Sequence, residues 1–128
     1  MKAQVSTEFL ILVSVLVTMF LSLYFGLVPL VKKAYYAKLE QDAKEVCRFV
    51  ANEINLAYRV GDGYQRRFFI EERLLGFKSY DITVGNFFVY VEWDNKSVSC
   101  SVLTRSVNGN AHPGWNTIKN KKGDVYVE

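Results

Sequence analysis

The sequence predicts an α+β protein: one long N-terminal helix, membrane-spanning in its first half, packed in its second half on a small antiparallel β-sheet head. Three observations predict this. Residues Phe9 to Val31 form an uncharged apolar run. Residues 32–60 carry on a helical period with one apolar stripe, and residues 66–128 alternate apolar and polar side chains between turn-forming pairs.

The apolar run holds about 23 residues, and as a helix it extends roughly 35 Å, enough to cross a hydrocarbon core of about 30 Å. Ser14, Thr18, Ser22 and Gly26 recur every four residues and make one small-residue face, of the kind that lets membrane helices pack closely. Pro29 removes a backbone donor and crowds the carbonyl of Phe25, so a bend or loosened turn is expected over residues 25–29. Lys32-Lys33 ends the run. The positive-inside rule alone would place that end in the cytoplasm.

Beyond the run, Leu39, Ala43, Val46, Cys47, Val50, Ile54 and Ala57 repeat at three- and four-residue spacing, with charged residues largely on other faces. Glu40 and Lys44 stand in the favourable i,i+4 order. Gly61-Asp62-Gly63 reads as the helix stop, giving one helix over about residues 4–59. No flexible linker intervenes. Strands are expected at Arg67–Glu71, Asp81–Val84, Phe87–Trp93, Lys96–Thr104, Trp115–Asn120 and Val125–Val127, with Ser106–Gly114 as loop. The two-residue turn Asp94-Asn95 suits a type I′ hairpin. It sets Val91 opposite Val98, Val89 opposite Cys100 and Phe87 opposite Val102, all on one buried face. Cys47 on the helical stripe and Cys100 on the hairpin face then meet where helix and sheet pack. A disulfide is expected there, two small buried thiols being the alternative.

The stretch before the apolar run is the unusual one. A secretory signal has a shorter apolar region with a small-residue cleavage site after it. Here a short polar stretch, Gln4-Val5-Ser6-Thr7-Glu8, precedes the run, and no Ala-x-Ala-like site follows it. Gln4, Ser6, Glu8 and Leu12 match the pattern Gln-x-Ser-x-Glu-x-x-x-Leu without departure. Over about residues 2–31 the chain therefore resembles the archaeal class III signal peptide of type IV prepilin-like proteins. The resemblance implies cleavage between Ala3 and Gln4 by a prepilin-peptidase-like membrane protease on the cytoplasmic side, retention of the apolar helix, and assembly into a surface filament. It implies a leader of residues 1–3, a membrane and filament-core segment of residues 4–31, and an extracellular head of residues 32–128. It also implies the opposite orientation to the one Lys32-Lys33 favours. Glu8 has two readings. An acid near a helix start is favoured by the macrodipole, by roughly 0.3–1 kcal/mol. Alternatively, the family is thought to pair this glutamate with the N-terminal ammonium of a neighbouring subunit, since a carboxylate in lipid is costly unless paired.

With 128 residues, one membrane helix and one small domain are the natural count. A net charge of +3, scattered, gives no argument for nucleic acid as a partner. His112 is the only histidine and has no ligand-spaced partners, so no metal or cofactor is expected. No catalytic triad or phosphate loop is visible, and no enzymatic activity is expected. Asn95-Lys96-Ser97 fits an N-glycosylation sequon at a turn tip. The expected function is that of a structural pilin-like subunit. It is held in membrane lipid as a precursor and then polymerises with copies of itself or related pilin subunits into an adhesive filament at the cell surface. The alternatives are a minor subunit that initiates or tips a filament, and a single-span surface-anchored binding protein that never polymerises.

Overall fold

The computed structural model describes residues 2–128, and all of their side chains except those of Lys2, Ala3 and Val5. One helix, α1, runs Lys2–Val60 with Pro29 inside it. It is followed by β1 (Gln65–Ile70), β2 (Asp81–Gly85), β3 (Phe88–Trp93), β4 (Lys96–Ser101), β5 (Val107–Asn108), β6 (Gly114–Lys121) and β7 (Asp124–Val127). The helix runs without interruption through residues 25–29, with no loosened turn before Pro29. Its start at Lys2 leaves the first turn without an acid, so Glu8 lies beyond the turn where the macrodipole acts and gains little from it. The chain forms two compact units, residues 1–37 and residues 38–128.

In the first unit the apolar side chains stand exposed, Phe9, Phe20 and Phe25 at 66%, 71% and 70%. The segment is long and apolar enough to cross a membrane. Its hydroxyls are satisfied within the helix: Ser14 donates to the carbonyl of Ile11, Thr18 to that of Ser14 and Ser22 to that of Met19, at 2.7–2.9 Å. A Cβ at Gly26 would meet no atom within 4 Å among the described residues. The small-residue face is thus smooth, and its polar groups already have partners.

In the second unit the helical stripe is the spine of the core. Leu39, Ala43, Cys47, Val50, Ile54 and Ala57 are all buried, and Val46 packs at the edge. Gly61 and Gly63 both take φ of 89°, where a side chain would be strained, and end the helix.

The expected single antiparallel sheet is two sheets. One has the order β1-β6-β7-β5 and the other β2-β3-β4. The first contains a parallel pairing, Val107 with Val125 and Asn108 with Tyr126, inside the stretch expected to be loop. Gly109 follows this short edge strand at φ 87°, so close to β7 that a Cβ there would lie 2.1 Å from the carbonyl oxygen of Val127. That contact explains why the strand ends in glycine.

The second sheet carries the predicted hairpin. Asp94 and Asn95 have φ of 42° and 62°, as a type I′ turn needs, and Val89 pairs with Cys100 and Val91 with Val98. Phe87 corrects the expectation. It lies outside β3, in the two-residue turn Asn86-Phe87 joining Gly85 to Phe88, at φ 63° and 46% exposed. Only its carbonyl continues the ladder, accepting from Val102 N–H at 2.8 Å. The turn takes precedence over the strand period there, and the ring is lifted off the core face.

Between β1 and β2, Leu74 and Lys78 form a two-way backbone bridge that buries Leu74. Asp42 of the helix accepts the N–H of Leu75 at 2.7 Å, which holds that residue at φ 51°.

Candidate functional site

The matched residues Gln4, Ser6, Glu8 and Leu12 all lie on α1 and all are exposed. Gln4, Glu8 and Leu12 are four residues apart and share one face, while Ser6 lies on another. Glu8 sits with Ile11, Leu12, Val15 and Leu16 around a shallow apolar groove. A carboxylate at the rim of an otherwise uncharged apolar segment is costly to bury in lipid without a cation. The side chain of Ala3 lies outside the described residues, as does Met1. The Ala3–Gln4 peptide falls in the first turn of α1, where backbone N–H groups lack intrahelical partners and fraying costs least.

The cysteines are brought together. Cys47 and Cys100 form a disulfide with Cα atoms 5.9 Å apart, cross-linking α1 to β4 across 53 residues of chain. Cys47 is fully buried and Cys100 partly so.

Asn95 is exposed at the tip of the β3–β4 hairpin, as an acceptor for modification would need to be. His112 Nδ1 lies 3.1 Å from the carbonyl oxygen of Pro113. Among the described residues no group of three His, Cys, Asp or Glu side chains is placed to hold a metal ion. Lys119 lies 3.5 Å from Glu128, and Lys121 sits over the Tyr126 ring at 5.9 Å.

Three buried polar residues were missed by sequence reasoning. Asn120 donates to the carbonyl of Ala57 at 2.8 Å and accepts from Gly123 N–H at 3.1 Å, so it ties the helix end to the β6–β7 turn. Asn116 accepts from His112 N–H at 2.9 Å and donates to the carbonyls of His112 and Gly114, closing the loop before β6. The signal was present, because the period-2 rule puts both asparagines on the same side of β6 as Ile118. Glu53 is 6% exposed and lies 3.3 Å from Arg66, with its second oxygen unpartnered among the described residues. Its helical position carried the signal too, seven residues after Val46 and four before Ala57, at the edge of the apolar stripe.

Glu40 and Tyr80 titrate away from their ordinary values. Hydrogen bonding and charge from Lys44, 2.8 Å away, hold the Glu40 carboxyl below the usual range. Burial, with the charges of Glu71 and Asp42, pushes the Tyr80 hydroxyl up to about 12. That hydroxyl donates to the carbonyl of Glu71.

No family model, curated protein or solved structure matches the chain. What it does rests on its own residues.

Proposed function

We propose that the protein is a class III, pilin-like structural subunit, processed before Gln4 and assembled through its N-terminal helix into a surface filament. The observation that carries the reading is an order of features. A four-position motif, Gln4, Ser6, Glu8 and Leu12, abuts a long apolar segment whose side chains are exposed. In this reading the segment first sits in lipid and later packs against copies of itself. The small-residue face supports close approach, because its hydroxyls need nothing from a neighbour. Glu8 supplies register by pairing with the ammonium that cleavage creates on a neighbouring copy. The cross-linked head covers the outside, where disulfides persist.

N-terminal analysis of the protein from its native host tests the reading. The mature chain begins at Gln4 and retains residues 9–31. A native chain that starts at Met1, or beyond Val31, refutes it. Abundance in sheared surface filaments separates a major subunit from a minor one. Processed chain that never leaves the membrane supports the anchored, non-polymerising alternative.

A further inference from the structure

The outward faces of the two sheets differ in charge. On the four-stranded sheet, Arg67, Phe69, Trp115, Lys119, Lys121 and Tyr126 stand on the outer side, opposite the inward Phe68, Ile118 and Val125; the cations outnumber the acids there, Asp124 across from Lys121 and Glu128 3.5 Å from Lys119. Phe69 and Trp115 face each other across β1 and β6, with ring centroids 5.4 Å apart, 45% and 60% exposed. Arg67 lies 5.2 Å over the Trp115 ring, which takes up one face of the guanidinium and leaves its N–H edge available.

On the three-stranded sheet the outer positions carry no cation. They are Asp81 and Thr83 of β2, Phe88, Tyr90 and Glu92 of β3, and the serines of β4. Asp81 and Glu92 are direct cross-strand partners. Like charges so placed repel. Neither has an ion-pair partner among the described residues, while the nearby Asp94 is held by Lys78. Asp81, Glu92 and Asp94 line one shallow open cleft at this end of the sheet, with Lys96 as the one cation in its lining. The exposed Phe88 and the half-buried Tyr90, with centroids 6.1 Å apart, stand on the same face.

We propose that the occupant of the cationic aromatic face is the acidic face of a second copy of this chain. The two faces are complementary in charge, and each offers exposed aromatic rings for the contact to bury. A cation from the neighbour between Asp81 and Glu92 would relieve their cross-strand repulsion. Because the two faces are different surfaces, the contact is heterologous and repeats from copy to copy, where a self-complementary patch would close into a pair. The inference deepens the assembly reading and rests on it in one respect: the N-terminal helices bring copies together, so a weak contact between heads suffices.

The full chain, prepared as ¹⁴N and ¹⁵N material, is mixed in detergent and reconstituted into vesicles of a zwitterionic lipid. A zero-length carbodiimide then joins amines to carboxylates in contact. Isotope-mixed cross-links between Lys119 or Lys121 and Asp81 or Glu92 are expected. Glu92→Lys lowers the yield of the links to Asp81 about fivefold, the size of effect one surface charge pair supplies, with an unchanged melting temperature. Links that join only chains of one isotope, no links at all, or links unaffected by Glu92→Lys overturn the inference. So does capture of an added acidic polysaccharide on the cationic face without links between copies. Such failure in protein that is correctly processed at Gln4 leaves the filament reading standing. Unprocessed native chain defeats that reading, whatever the cross-links show.

Discussion

Breaking the bridge between Cys47 and Cys100 is the most quantitative test of how the head is held. The bond closes a loop of 53 residues. In the chain-entropy model a loop of that size constrains the unfolded chain by about 14 cal/mol/K, or about 4 kcal/mol at 25 °C. A domain the size of the 38–128 unit loses roughly 4–8 °C of melting temperature per kcal/mol. Reduction is therefore expected to lower the transition by about 15–30 °C. Cys47 is also a fully buried member of the core, so Cys47→Ala with Cys100→Ala removes sulfur volume as well as the cross-link and should fall at least as far. Thermal unfolding of the full chain in detergent, oxidised and reduced, is followed by the fluorescence of Trp93, which is 6% exposed and reports the core. A shift under about 5 °C on reduction would refute the reasoning. It would mean that the reduced, unfolded chain keeps the two segments together, or that packing alone carries the head.

Three further outcomes are expected. Glu8→Gln keeps the size and removes the charge, so cleavage before Gln4 continues while incorporation into filaments drops; filaments at normal yield would leave Glu8 without an assembly role. Asn120→Ala strips two hydrogen bonds, leaving Gly123 N–H without its partner and the Ala57 carbonyl with the longer bond from Gly61 N–H at 3.3 Å, and urea unfolding should show a loss of about 1–3 kcal/mol. Tyr80 titrates at about 12 in the folded chain against 10.0 for the free side chain, so folding favours its neutral form. Its contribution is fully present below pH 10 and is lost as pH rises toward 12; Tyr80→Phe, which cannot ionise, should flatten the fall in melting temperature across that window.

The parts of the head that were legible in sequence are those set by local periodicity. The stripe from Leu39 to Ala57 is buried as its spacing demands, and the Asp94-Asn95 turn sets the register of Val89, Val91, Val98 and Cys100. What was not legible depends on distant chain. The partner of β1 is β6, with Phe68 opposite Asn116, and nothing local to either strand names the other. The division into two sheets follows from that pairing. β5 is two residues long and is a strand only because Val125 and Tyr126 lie beside it. Phe87 reads as the first residue of an alternating run, yet the turn before β3 claims it. The proposed assembly residues are of another kind. Gln4, Ser6, Glu8 and Leu12 are readable only as a pattern, since all four stand exposed on the helix.

The two stretches of α1 pose opposite packing problems. From Leu39 onward, apolar residues occupy one stripe, and the sheets cover it. From Phe9 to Val31 they occupy every side, so no single face can be covered by a sheet and the surface needs lipid or other helices all round. Lipid satisfies the apolar side chains as well as a bundle does, and the internally bonded hydroxyls are neutral between the two. Glu8 is not neutral. As a lone span it must stay at the interface or bear an uncompensated charge. In a bundle, a cation from the next copy can meet it, and only copies in register bring that cation close enough. The carboxylate at the edge of this segment distinguishes a filament core from a membrane anchor where the apolar side chains and hydroxyls do not, and for that reason its neutral variant is the decisive substitution between the two readings.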